Sequence, residues 1–218
     1  MEFVKIAYDL DVIERPEYLK MLAFSGDLLR LKALYEKERA FPIGIAFSAT
    51  LGGHLDIVKW LQEKEEDMSN VMHCAAQIGN IEILSWGLSN TLELDNICMY
   101  RAIKYSSLKT VKWLLDHKCP IDGSAYIGAL QNYDLEKLEF LFSIVPFELE
   151  LEMAILDKER VDSLEWLWTR GHQVEKNLGI VALIERKVKI LEWLKKKDLL
   201  DIPDDIMRML LLREQLEQ

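Results

Sequence analysis

The sequence predicts an all-α fold, a solenoid of about seven stacked helix-turn-helix repeats. Three observations carry that prediction. Tryptophans recur at one fixed interval, a column of small residues keeps step with them, and the apolar residues between fall in stripes of helical period.

The chain holds six tryptophans in 218 residues. From Trp60, the positions Trp86, Trp113, Phe140, Trp166 and Trp193 follow at spacings of 26, 27, 27, 26 and 27 residues. Trp168 lies off this grid, and one step back from Trp60 lands on Ala33. A residue that recurs at a fixed interval holds one structural position in successive copies of a unit. The tryptophans therefore read as packing residues rather than as a site. Burying such an indole between copies contributes about 2–3 kcal/mol, and Trp113→Ala is expected to cost ~3–5 kcal/mol.

Two further columns keep the same step. Each repeat has an apolar anchor: Leu28, Leu55, Ile81, Leu108, Leu135, Val161 and Val188. Six residues before the anchors stand Leu22, Ala49, Ala75, Ala102, Ala129, Ile155 and Ala182. Alanine dominates there, which predicts that two helices cross closely at that level. Three residues after the anchors come Leu31, Val58, Leu84, Val111, Leu138, Leu164 and Leu191, all aliphatic.

Within the second repeat, Leu55, Val58 and Leu61 are apolar at i, i+3 and i+6, with Asp56, Lys59 and Gln62 between them. That is a helical stripe and not strand alternation. A shorter helix over about 45–51 precedes it and ends at Gly52–Gly53, since glycine takes the left-handed conformation that closes a helix. The equivalent turns are Gly26–Asp27, Gly79–Asn80, Ser106–Ser107 and Tyr133–Asp134. Asp, Asn and Ser after the turn suit the N-cap of the second helix. Polar segments such as "EKEEDMSN" and "DHKCPIDGS" separate the repeats. Leucine-rich repeats share this period, but their strand-forming L-x-L step does not recur here.

Composition bounds the function. Half the residues are apolar and the net charge is −10, which disfavours a surface that tracks phosphates. The basic run "LKKKD" at 194–198 reads as a solvated helix end. Cys74, Cys98 and Cys119 show no CxxC spacing, and three scattered thiols suit a reducing compartment. The apolar start is too short and too charged for a signal peptide. No apolar run is long enough for a membrane span. The expected location is the cytoplasm, with the nucleus also open to the chain.

"AFSATLGGHLDIVKWLQEK" and "MHCAAQIGNIEILSW" resemble ankyrin repeats: a small-residue helix, a Gly-His or Gly-Asn turn, then a second helix of the Leu-x-Ile-Val type. His73 stands at the position of the family's T-P-L-H histidine. The resemblance covers about residues 16–211 and weakens where Tyr133, Glu159 and Arg186 replace the turn glycine. The repeats are shorter than the usual ~33 residues, and the shortfall falls in the inter-repeat loop. The resemblance therefore implies short or absent β-hairpin fingers. Short repeats with a prominent Trp are similar to the divergent ankyrin repeats abundant in giant DNA viruses and some protists. One domain is expected over 1–218, with a cap remnant at 1–15, repeats over about 16–203 and a capping helix at 204–218.

The chemistry-bearing residues carry no enzymatic pattern. His54, His73, His117 and His172 form no HExxH pair, and no phosphate loop occurs. His54 and His73 fall on family positions that hydrogen-bond within and between repeats. A zinc site using His73, Cys74 and Cys98 needs a fourth ligand that the sequence does not identify. No cofactor and no metal are expected, and the chain is read as a non-catalytic protein-binding scaffold.

By the resemblance, partners lie against the concave side formed by the first helices. The residues there that escape the core columns are Ser48, Leu51, Gln77, Ile78, Arg101, Lys104, Tyr105, Gln131 and Asn132. The partner is another protein, a host factor if the chain is viral, and the acidic balance suggests a basic one. No nucleic acid or membrane is expected as a partner, and the chain is expected to be a monomer. An alternative is a ubiquitin-ligase adaptor. "DIPDDIMRMLL" at 201–211 resembles the opening of an F-box, and this reading predicts that Ile206 and Leu210 engage a ligase subunit.

Overall fold

The computed structural model describes residues 14–38, 41–146, 151, 155–156, 158–175 and 177–202. The expected cap at 1–13, the capping helix at 204–218 and most of the F-box-like segment, with Ile206 and Leu210, lie outside the described residues. Among the described residues there are thirteen helices and no strand. The all-α expectation holds, and the loops between repeats carry no β-hairpin finger there. The chain divides into two compact parts, Met1–Ile121 and Asp122–Gln218.

The first part holds four helix pairs: α1 (Arg15–Ser25) with α2 (Leu28–Glu38), α3 (Ile45–Leu51) with α4 (Leu55–Glu63), α5 (Val71–Ile78) with α6 (Ile81–Ser89), and α7 (Asn96–Tyr105) with α8 (Leu108–Asp116). Each second helix folds back on its own first helix, and the first helices pack directly on one another, α1 on α3, α3 on α5 and α5 on α7. The small-residue column allows this approach. Leu22, Ala49, Ala75 and Ala102 are fully buried, as are Leu31, Val58, Leu84 and Val111 of the aliphatic column. The anchors are less covered than these columns. Leu28, Leu55, Ile81 and Leu108 are only half-buried, because they open their helices at the rim of the core. In α4 the buried residues are Ile57, Val58, Trp60 and Leu61.

The second part contains α9 (Ala125–Asn132) with α10 (Leu135–Phe142), then α11 (Val161–Thr169), and α12 (Leu178–Ile184) with α13 (Val188–Lys196). Ala129, Ile155 and Ala182 are again fully buried. The buried Ser163 hydroxyl donates to the Leu130 carbonyl at 2.5 Å and ties α11 to α9. Tyr126 is wholly buried and donates to the Val145 carbonyl at 2.6 Å, while burial pushes its phenol up to about 12.

One turn geometry recurs after the first helices. Gly26, Gly53 and Gly79 have φ of 84°, 80° and 72°, and Tyr133, Glu159 and Arg186 hold 53°, 46° and 56°. The N–H of the next residue donates back to the small-residue column, as Asp27 to Leu22, Asn80 to Ala75, Asp134 to Ala129 and Lys187 to Ala182. The loss of glycine in the later repeats thus leaves the left-handed closure intact. Ser106 is the exception. Its φ is −109°, its N–H bonds to Ala102, and its hydroxyl donates to Thr110 at 2.9 Å.

A second left-handed column closes the second helices: Glu65, Thr91, Lys118, Gly171 and Asp198, with φ of 60°, 64°, 61°, 83° and 58°. The following N–H again reaches back, Glu66 to Leu61, Leu92 to Gly87, Cys119 to Leu114, His172 to Leu167 and Leu199 to Leu194. These closures turn the chain toward the next first helix and shorten the connection that a hairpin would otherwise occupy.

The aromatic column divides into two groups. Trp60, Trp166 and Trp193 are buried, whereas Trp86, Trp113 and Phe140 are only half-buried. Trp60 meets Tyr35 and Phe41 edge-on at 5.6 and 5.5 Å, while Ala33, one step back in the column, is exposed. Trp113 stacks on the exposed His117 at 3.9 Å. With the indole only partly covered, Trp113→Ala falls below the cost expected for a fully buried ring. In the second part the indole N–H of Trp166 donates to Glu139 at 3.0 Å and that of Trp193 to Glu165 at 2.7 Å. A cation covers each ring, Arg170 at 4.4 Å from Trp166 and Lys197 at 5.8 Å from Trp193, and each cation also pairs with the same glutamate. Trp168, off the grid, packs edge-on against Trp193 at 6.2 Å.

Candidate functional site

The C-terminal ends of α1, α3, α5 and α7 each present an apolar side chain to solvent, two residues past the small-residue column in α1 and α3 and three past it in α5 and α7. Phe24, Leu51, Ile78 and Tyr105 follow one another at 27-residue steps and are 51%, 37%, 37% and 57% exposed. Apolar side chains on the helices of a packed core ordinarily turn inward. These four do not, because they lie past the small-residue column that meets the neighbouring helix. Leu51, Ile78 and Tyr105 are among the residues the sequence singles out. Phe24 is not, although one further 27-residue step from Leu51 reaches it.

The polar candidates are held in defined positions. Arg101 donates from Nη1 to Gln77 Oε1 at 3.1 Å and joins α7 to α5. Lys104 donates to the Tyr100 hydroxyl at 2.9 Å and stands 5.4 Å from the centre of the Tyr105 ring. That hydrogen bond raises the Lys104 pKa. Lys104 thus stands beside Tyr105 at one end of the apolar row, with Arg101 one helical turn earlier on α7. Ser48 bonds back to the Gly44 carbonyl at 3.3 Å and is half-buried. In the second part, Gln131 and Asn132 link repeats: Arg160 donates to the Gln131 and Asn132 carbonyls at 3.2 and 2.8 Å, and Lys158 donates to Asn132 Oδ1 at 3.3 Å.

The charges segregate between helices. In α1, α3, α5, α7, α9 and α12 the only carboxylate is Glu17, and it pairs with Lys20 at 3.0 Å. Acidic residues lie instead on the second helices and loops, as Glu36, Asp56, Glu63, Glu82 and Asp116 do.

Two histidines link repeats. His54 Nε2 donates to the Phe24 carbonyl at 3.0 Å, which places a proton on that nitrogen. His73 Nε2 meets Asp95 Oδ2 at 2.8 Å. Residues 45–126, from α3 into α9, match the family model of ankyrin repeats in three copies. That segment carries ankyrin repeats. Neither the curated proteins nor the solved structures contain a match. The two linking histidines lie in the ankyrin segment, each bridging one ankyrin repeat to its neighbour in the stack.

Asp95 and the thiols complete this region. Burial pushes the Asp95 carboxyl up, but hydrogen bonds from the Cys98 N–H and from His73 outweigh it and hold the group below the usual range. Burial also drives the thiols up, Cys74 to about 11, Cys98 to about 12 and Cys119 to about 11. They stay protonated near neutral pH and are poor nucleophiles. The Cys74 thiol faces the Phe47 carbonyl at 3.8 Å. Asp95, which the sequence reading did not consider, takes the place beside His73 and Cys98 that had been given to Cys74. No helix among the described residues is long and apolar enough to cross a membrane.

Proposed function

We propose that the chain is a non-catalytic scaffold that binds another protein on the inner helices of its first part. Ankyrin repeats generally mediate protein–protein interaction, which supports the class of function. The observation that carries the surface is the exposed row of Phe24, Leu51, Ile78 and Tyr105, ended by Arg101 and Lys104. Aromatic and arginine side chains are frequent energetic centres of interfaces. Ser48 and Gln77 complete the surface within the ankyrin segment. Gln131 and Asn132 already bond across repeats and contribute less.

The partner surface is read from local charge. The whole chain is acidic, yet the inner helices carry cations and, besides the paired Glu17, no carboxylate. A complementary partner presents apolar side chains with acidic residues beside them, rather than the basic surface that net charge alone suggests. The cytoplasm remains the location in which this scaffold is proposed to work.

Affinity capture from cell lysate with mass spectrometry tests the reading. Proteins retained by the native chain should be lost with Phe24→Ala/Tyr105→Ala, and weakened by Arg101→Glu/Lys104→Glu, at unchanged helical content. Retention of the same proteins by both variants contradicts the assigned surface.

A further inference from the structure

We propose that His73, Asp95 and Cys98 form a binding site for a zinc ion. One ligand atom from each, an imidazole nitrogen, a carboxylate oxygen and the thiol sulfur, all lie within 4.8 Å of one another. Tetrahedral zinc holds nitrogen and oxygen at about 2.0–2.2 Å and sulfur at about 2.3 Å, which sets its ligands roughly 3.2–3.8 Å apart. The His73 and Asp95 atoms, 2.8 Å apart, part by roughly 0.5 Å and the Cys98 sulfur closes in by at most about 1 Å to reach that spacing, shifts within the reach of side-chain torsions.

The backbone already brings these groups together. His73 projects from α5, Asp95 is the N-cap of α7, and Cys98 stands in the first turn of α7. The Cys98 N–H fixes Asp95 Oδ1 at 2.9 Å, and Oδ2 is left facing His73 Nε2 at 2.8 Å. An ion between them takes the place of the shared hydrogen. The imidazole then keeps its single proton on Nδ1, and the Cys98 thiol releases its proton to solvent.

Access and selectivity agree with this assignment. Cys98 is buried, but the His73 and Asp95 side chains are 18% and 45% exposed, so an ion enters from their side and water fills the fourth position. Magnesium and calcium take oxygen ligands, whereas a mixed nitrogen, oxygen and sulfur set suits zinc. Bound there, the ion ties α5 to α7, and its binding energy adds to the stability of that pair of repeats.

Cobalt titration of the chelator-stripped chain, followed by absorbance, tests the site. The expected result is an ultraviolet thiolate-to-cobalt charge-transfer band with strong visible d–d bands, saturating at equimolar cobalt and erased by equimolar zinc. Cys98→Ser should remove the charge-transfer band. Asp95→Asn keeps a good helix cap and should weaken binding about 10-fold or more, an arm that does not depend on how Cys98→Ser folds. Cys119→Ser should leave the spectrum intact. Absence of the charge-transfer band from the native chain overturns the proposal. Its survival in Cys98→Ser, its loss in Cys119→Ser, or unchanged affinity in Asp95→Asn does so equally.

Discussion

Two backbone positions show how a single residue decides the stacking. Gly52 has φ of −75°, so a left-handed backbone is not its reason for being glycine. A Cβ there would overlap the Phe24 carbonyl of the preceding repeat. Gly52→Ala is therefore expected to cost about 1–3 kcal/mol, the range for forced overpacking, measured by urea unfolding. A cost near zero would show that the repeats do not approach so closely. Thr91 presents the opposite case, a β-branched residue at φ 64°. The left-handed conformation costs about 1–2 kcal/mol without glycine, and glycine loses ~0.5–1 kcal/mol of chain entropy, so Thr91→Gly should stabilise by about 0.5 kcal/mol. A measured loss of stability would contradict the closure drawn at Thr91. The alanine column was legible because burial against a neighbouring helix selects small side chains at every step. The closures at Glu65, Thr91, Lys118 and Asp198 were not. Backbone hydrogen bonds impose them, and residues that do not favour the conformation tolerate it. Asp95 escaped notice for a related reason: sequence distance separates it from His73, and only the stacking of α7 on α5 joins them.

At the scale of elements, the period placed α3 where it is found, over Ile45–Leu51, and put its turn at Gly52–Gly53. It did not separate buried tryptophans from half-buried ones, since the spacing is the same for Trp113 and Trp166 while their surroundings differ. The seam between α11 and α13 shows what those surroundings supply. Glu165 accepts from Lys197 and from the Trp193 indole, both at 2.7 Å, and these bonds, that from Lys197 first, lower its pKa. Because the folded pKa lies below the unfolded one, the stabilisation is fully present above the unfolded value of about 4.3 and is lost as pH falls through the folded value. Glu165 is 44% exposed, so Glu165→Gln is expected to cost only about 0.5–1 kcal/mol at neutral pH. Urea unfolding at pH 7 and at pH 3 should show that difference shrinking in acid. An equal difference at both would mean that the carboxylate charge is not what the seam uses.

At the scale of the molecule, a helix pair of ~20 residues buries too little surface to stand alone, and a stack draws its stability from nearest-neighbour interfaces. The same stacking frees the ends of the first helices, where Phe24, Leu51, Ile78 and Tyr105 stand exposed just past the buried small-residue column. The period was readable from the tryptophans; the sign of the charge beside the row was not, because the net charge averages over helices that face different ways. Hydrogen-exchange mass spectrometry on Ala75→Leu tests the central claim most directly. Ala75 is fully buried on α5, and overfilling it costs about 1–3 kcal/mol. Mutual shielding of neighbours predicts faster exchange in α3, α4, α7 and α8 together with α5 and α6. Loss of protection confined to α5 and α6 would contradict it.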